Sequence, residues 1–243
     1  MLTKNQIKLI TQLKNKKYRE TYGLFVVEGV KSVQEFLKEA KFELEELYVT
    51  NTDLFEDNKI DVTLITTNEL KKISNFKNPN VCLAVFKIKN KLAAPVTKGL
   101  KLVLDGISDP GNLGTIIRLC DWFGVETLYC SESTVDCFNP KVVQATMGSL
   151  NRVQLVYTDI VALLEQTDFP VYGAFMDGKV IYNTEIDQNA FLVIGNEANG
   201  ISKTIETLIT SKITIPKFGR KQQTESLNAA IATGILLSEF SRR

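Results

Sequence analysis

Leu100-Lys101-Leu102-Val103-Leu104-Asp105-Gly106-Ile107-Ser108-Asp109-Pro110-Gly111-Asn112-Leu113-Gly114-Thr115-Ile116-Ile117-Arg118 is the stretch that decides how this chain folds. The mostly apolar run Leu100–Leu104 reads as a strand that ends at Asp105-Gly106. A loop rich in Gly, Asn and Pro follows, and the spacing predicts a helix from Leu113 to Phe123. Glycines after a strand let the backbone approach a ligand. Asn112 reads either as a cap for the helix or as a site residue. Arg118, more than one turn into the helix, reads as a surface cation or as a group sharing a site with the loop.

Downstream the pattern repeats. Strands are expected at Thr127–Cys130, Gln154–Val156, Pro170–Phe175, Ala190–Ile194 and Ile213–Ile215. Helices are expected at Pro140–Ser149, Asp159–Glu165, Lys203–Leu208 and Ser226–Phe240. Strands alternating with helices argue for an α/β fold on a parallel sheet, with ligand sites past the strand C-termini.

Upstream, Lys89–Gly99 is polar and basic around Ala93-Ala94-Pro95, so a linker is expected over 91–99. Residues 1–90 form a separate small α/β unit. It is expected to hold an amphipathic helix over 1–20 (Ile7, Leu9, Ile10, Leu13), a strand at Leu24–Val27 and a turn at Glu28-Gly29. A helix at 30–40, strands at Leu47–Val49 and Val62–Ile65, a helix from Thr67 as cap to Ile73, and a strand at Val81–Ile88 complete it.

Composition narrows the chemistry. The 243 residues carry 29 Lys+Arg against 28 Asp+Glu, so net charge names no partner. Local charge does more: Lys4, Lys8, Lys14, Lys16, Lys17 and Arg19 face only Glu20 within the first twenty residues. That is a basic surface, read as a solvated helix face or as an RNA contact. The chain has no histidine, which excludes histidine bases, Ser-His-Asp and Cys-His nucleophiles, and histidine metal sites. Cys82, Cys120, Cys130 and Cys137 have no CxxC spacing and read as reduced core thiols. With no leader pattern and no apolar run of about 20 residues, the expectation is a soluble, cytoplasmic protein with no membrane partner and no metal.

Two more loops look unusual for folding alone. Leu192-Val193-Ile194-Gly195-Asn196-Glu197-Ala198-Asn199-Gly200-Ile201 runs a buried strand into a glycine with a carboxylate two residues on. It reads as a Gly-rich turn, or as room for an adenosine-sized ligand with Glu197 orienting its polar groups. Ile213-Thr214-Ile215-Pro216 leads through the polar run Lys217–Gln223 to Thr224-Glu225-Ser226-Leu227-Asn228 at the head of the last helix. Thr224 or Ser226 is the expected N-cap. Asn228 is a poor helix former placed in the first turn. A dinucleotide fold would need G-x-G-x-x-G, and a P-loop would need Gly-Lys-Ser/Thr; neither is present.

Taken together, Asn-x-Gly-x-x-x-Arg (112–118), Gly-Asn-Glu-x-x-Gly (195–200) and Ile-Pro…Ser-Leu-Asn (215–228) resemble, in order and separation, the three signature motifs of the SpoU (TrmH-like) RNA methyltransferases of the SPOUT superfamily. Lys141–Leu150 is similar to that family's Met-Gly helix. Phe25–Lys31 is similar to the opening of its L30e/L7Ae-like substrate-binding domain. The resemblance implies a parallel SPOUT sheet whose C-terminal segment is tucked into a deep trefoil knot, a homodimer, and S-adenosyl-L-methionine as cofactor. It assigns residues 1–90 to RNA binding and 100–243 to methyl transfer to a ribose 2′-hydroxyl. Ribosomal RNA is the expected substrate, with transfer RNA or a non-catalytic RNA-binding role as alternatives. By position, Gly195, Ile215 and Leu227 would hold the cofactor, and Asn112, Arg118, Glu197, Ser226 and Asn228 would line the reaction centre. The base is left open between Arg118 and Glu197. The run 217–223 is longer and more polar than the family pattern.

Overall fold

Small polar residues set the first helix ends. In the computed structural model, which describes residues 1–39, 41–55, 60–79, 81–89, 98–219 and 225–242, Thr3 caps α1 (Lys4–Gln12) in a capping box with Gln6. Asn15 caps α2 (Lys16–Tyr22) by accepting from the Lys17 N–H. The one helix expected over 1–20 is therefore two: Leu13 closes the first and Asn15 at once opens the second. β1 (Leu24–Glu28), α3 (Val30–Lys38), β2 (Glu43–Val49), β3 (Thr63–Leu64), α4 (Thr67–Ile73) and β4 (Cys82–Lys87) follow. The cap of α4 is Thr66, in a box with Glu69, and not Thr67.

The chain continues through β5 (Lys101–Asp105), α5 (Pro110–Phe123), β6 (Thr127–Cys130), α6 (Pro140–Thr146), β7 (Gln154–Tyr157) and α7 (Ile160–Glu165). It ends with β8 (Val171–Val180), β9 (Phe191–Gly195), α8 (Lys203–Glu206), β10 (Ser211–Thr214) and α9 (Ala229–Arg242). Two compact units result: Met1–Leu92 with Asp136–Asn151, and Ala93–Val135 with Arg152–Arg243. Of the expected linker, 91–97 lies outside the described residues, as do Arg220–Thr224.

Residues 136–151 depart from the expected division, and packing explains why. Among the described residues the first unit has a four-stranded sheet in the order β1-β4-β2-β3. One face of that sheet carries Phe25, Phe36, Phe42 and Phe86, and Phe138 completes this cluster, its ring 4.8 Å from that of Phe25. The other face packs Val26, Tyr48, Leu83 and Val85 against Ile10, Leu13, Leu70 and Ile73. Helix α6 lies on β1 and stops at Met147, with Gly148 at φ 97°. A Cβ on Gly148 would lie 2.6 Å from the Glu35 Cβ, so the close approach needs glycine. The helix expected to reach Ser149 ends three residues early for this reason.

Arg19 belongs to the same junction. It is 2% exposed, so it leaves the basic face on which the sequence put it. Its Nε donates to Asp136 Oδ2 at 2.9 Å, Nη2 pairs with the same oxygen, and Nη1 donates to the Leu13 and Lys14 carbonyls.

Among the described residues the second unit is built on six parallel strands in the order β10-β8-β9-β5-β6-β7. The chain leaves β5 toward β6 on one side, while β9 leads to β10 on the other. Their adjacent C-terminal ends thus form the switch point at which open parallel sheets bind ligands. Helix α5 packs on α9, where a Cβ on Gly234 would touch Leu119 at 3.4 Å.

Asp136→Ala leaves the Arg19 guanidinium buried without its counter-ion. We expect a stability loss of about 3 kcal/mol, read as a lower urea midpoint. A loss below about 1 kcal/mol would show that the pair does not hold 136–151 in place.

Candidate active site

Register fixes the frame. Asp105 at the end of β5 pairs with Gly195 at the end of β9. Asp105 Oδ2 accepts from the Ser202 N–H at 2.7 Å, tying the far end of the second loop to β5. A Cβ on Gly195 would fall 2.2 Å from the Gly200 carbonyl carbon, so the loop folds back in a way only glycine permits. Asn196 and Gly200 exchange backbone hydrogen bonds, each 2.9 Å. The Asn196 side chain accepts from the N–H groups of Ala198 and Asn199 and donates to the Gly106 carbonyl at 2.6 Å. That amide joins the two loops and leaves Glu197 at the tip.

Glu197 turns toward the first loop. Its carboxylate accepts from Asn112 Nδ2 at 2.8 Å and, at 3.3–3.4 Å, from the Ser108 N–H and hydroxyl and the Asp109 N–H. Burial pushes its pKa up, but donation from Asn112 and the backbone outweighs that, and the net shift is below the ordinary glutamate value. Asn112 is almost buried, at 9% exposed, and its Oδ1 accepts from Asn228 Nδ2 at 2.8 Å. Asn228 Oδ1 in turn accepts from the N–H groups of Ala230 and Ile231.

Two expected helix starts are corrected by this geometry. Asp109 caps α5 through the Asn112 N–H, with Pro110 as the first helical residue, so Asn112 lies in the first turn of the helix rather than capping it. Asn228 is itself the cap of α9, which begins at Ala229 and not at Ser226; Thr224 lies outside the described residues. An asparagine that is a poor interior residue is a good cap.

Three of the expected site residues, Asn112, Glu197 and Asn228, are thus brought into one hydrogen-bonded chain. Gly195 opens its loop. Ser226 and Leu227 are exposed just before Asn228, and Ile215 is half-buried just after β10. Arg118 is not in the network: it is exposed on a different face of α5, in a stripe with Gly111, Thr115 and Trp122, and makes no ion pair among the described residues. Asp105, Asp109 and Asn196, which hold the loops, were missed. Asp-Pro is a helix-start signature that could have revealed Asp109; the partners of Asp105 and Asn196 are distant in sequence.

Comparison with known proteins identifies the family. The model of the SpoU rRNA Methylase family matches residues 99–238, which hold all three loops. The chain belongs to the SpoU rRNA methylase family. A second model, the MRM3-like substrate binding domain, matches residues 4–84. This SpoU protein is 28% identical over 241 residues to the 23S rRNA (guanosine(2553)-2'-O)-methyltransferase RlmP of Bacillus subtilis, covering 96% of this chain and 95% of that one. A TrmH-family protein from Porphyromonas gingivalis superposes with a TM-score of 0.89 at 39% identity, over 100% of this chain and 99% of the other. An AdoMet-bound rRNA methyltransferase from Sinorhizobium meliloti superposes with a TM-score of 0.86 at 27% identity, over 100% and 96%.

A carboxylate held low adds stability that is present above the unfolded value, about 4.3, and is lost as pH falls through the folded value. Asn112→Leu removes the nearest side-chain donor. The Glu197 carboxyl carbon, followed by NMR, should then titrate at higher pH than in wild type, and the acid-side stability increment should shrink. An unchanged midpoint would mean that the backbone donors alone set it.

Proposed function

We propose that the protein transfers a methyl group from S-adenosyl-L-methionine to a ribose 2′-hydroxyl of ribosomal RNA. The observation that carries this reading is the joining of the three SpoU motifs, through Asn112, Glu197 and Asn228, at the switch point of a parallel sheet. The RNA and position named for the Bacillus subtilis relative support ribosomal RNA as the class.

The residues present fit the cofactor. Gly195 lets backbone turn tightly beside the crevice, Leu227 and Ile215 offer apolar surface for an adenosine, and Glu197 supplies negative charge for a cationic ligand. Gly195, Ile215 and Leu227 would hold it. When bound, S-adenosyl-L-methionine supplies the electrophilic methyl of a sulfonium.

The chain's own residues align and stabilise. A 2′-hydroxyl attacks in line only if its oxygen is held on the axis of the breaking bond. Glu197 is poorly suited to be the base, because its lone pairs are occupied by donors and its basicity is lowered. Its role is to hold Asn112 and the first loop in position. Arg118 carries a guanidinium with five N–H donors and is exposed on the helix that follows that loop. It is suited to bind a phosphate and to stabilise the developing alkoxide as the proton leaves to solvent. Ser226 and Asn228, at the head of α9, would line the reaction centre.

Three finer features belong to the same reading. The C-terminal segment is knotted in the SPOUT manner, a reading supported by the family match over residues 99–238. The first unit is an L30e-like RNA-binding domain, supported by the substrate-domain match and by exposed Lys4, Lys8, Lys14 and Lys17. The protein is a cytoplasmic homodimer. Trp122, 83% exposed on α5, and Ile231 on the adjoining α9 supply the apolar surface that a second copy would cover.

Wild type should place label from methyl-labelled cofactor in ribosomal RNA, recovered as an alkali-resistant dinucleotide. Arg118→Ala should lower kcat about 10²–10³-fold with cofactor affinity unchanged. No cofactor binding by wild type would overturn the reading, and label in transfer RNA would move the substrate class. In sedimentation, Trp122→Glu should shift the protein from dimer to monomer; an unchanged mass would place the interface elsewhere.

A further inference from the structure

A pair of exposed aromatic rings lies on the same side of the sheet as the site and takes no part in the network. Along β8 and β10 the pairing register jumps from Lys212↔Gly173 to Ile213↔Lys179, so residues 174–178 leave the ladder as an excursion. The turn Ile181–Asn183 follows and presents Tyr182, 37% exposed. Phe218, just past the C-terminal end of β10, is 82% exposed and stacks on Tyr182 with ring centroids 6.5 Å apart and planes 29° apart. Ile215, placed against the cofactor above, is three residues away, within about 10 Å of chain.

We propose that Phe218 and Tyr182 form a stacking platform for an unpaired base of the RNA, next to the nucleotide that is methylated. The inference rests on the RNA methyltransferase reading and adds to it a determinant of substrate binding. Phenylalanine exposed this far has no folding role to fill, yet the ring is held by its neighbour rather than loose. Lys217 precedes Phe218 and Lys179 lies three residues before Tyr182, both exposed, with Asp177 and Glu185 as the acidic residues of the same stretch. Flat π-faces edged with lysine suit nucleobases, which stack on aromatics whatever their identity. Basic side chains around the rings favour a nucleobase over a protein partner, whose interface core is poor in charge. The surface suited to a second copy is on α5 and α9, not here.

The test uses the full-length protein and a single-stranded RNA 12-mer containing 2-aminopurine, whose fluorescence falls on stacking. Wild type should quench the probe, and Phe218→Ala should abolish the quench and weaken binding about tenfold. Phe218→Trp should restore both, whereas Phe218→Leu, which keeps apolar bulk without the ring, should not. In methyl transfer the alanine variant should raise the KM for ribosomal RNA by a similar factor, with cofactor affinity and dimer mass unchanged. Equal quenching and affinity in Phe218→Ala, or a change in cofactor affinity or mass that accounts for the loss, would overturn the proposal. A wild type that quenches the probe but transfers no methyl group to any RNA would leave the platform standing and count against the methyltransferase reading.

Discussion

The charge on one carboxylate fixes the polarity of the whole site. An ionised Glu197 can only accept hydrogen bonds, so the Asn112 amide must face it with its NH2 group. The Asn112 oxygen is then turned toward Asn228, which has to donate. Asn228 is left with its oxygen directed at the free N–H groups that open α9. Each amide has one orientation consistent with its neighbours. The consequence runs from loop tip to helix terminus: the N-terminal dipole of α9 and the Glu197 charge sit at opposite ends of an aligned chain of donors.

That chain needs two loops and a helix start held in register, and the fold supplies the register three times. Strand pairing sets Asp105 beside Gly195. Asp105 takes the Ser202 N–H, and Asn196 takes the Gly106 carbonyl, so the second loop is tied at its end and at its start. Gly195 permits the fold-back that makes both ties reachable. Asn196 also donates to the Glu197 carboxylate at 3.5 Å, so the amide that ties the loop helps set where the carboxylate points. Site geometry of this kind is carried by backbone and by amides, which hold position without exchanging protons.

Much of this was legible in the sequence and some was not, for identifiable reasons. All six strands of the second unit were marked by apolar runs, and the central β5, β6 and β9, buried on both faces, read as continuous hydrophobic segments. The three loops stood out because Gly, Asn and Pro break those runs. By contrast β2 begins at Glu43, four residues before the apolar Leu47-Tyr48-Val49, since Glu43 and Glu45 pair with Lys87 on an exposed face. Arg19 looked like one more surface cation because Asp136, its partner, is 117 residues away. Long-range pairing also moved 136–151 into the first unit. Phe138 and Asp136 carry no local sign that they complete a core begun at Phe25 and Arg19. The starts of α5 and α9 lie three residues from where the sequence put them, because Asp109 and Asn228 do the capping expected of Asn112 and Ser226.

The missing histidine takes on meaning once the network is seen. Histidine is the side chain whose ordinary pKa lies near neutrality, and this chain has none. Burial pushes the Cys82 thiol up to about 12 and raises Cys120 as well, so those thiols are not pressed into service either. Glu197 moves the other way, below its usual range. The groups that order the site therefore keep one charge state across neutral pH, and the amide polarity that depends on them does not switch. A site built this way cannot rely on a well-matched proton acceptor for rate. It suits a reaction in which the leaving group needs no proton and the methyl donor is already a cation, so that alignment does most of what is required.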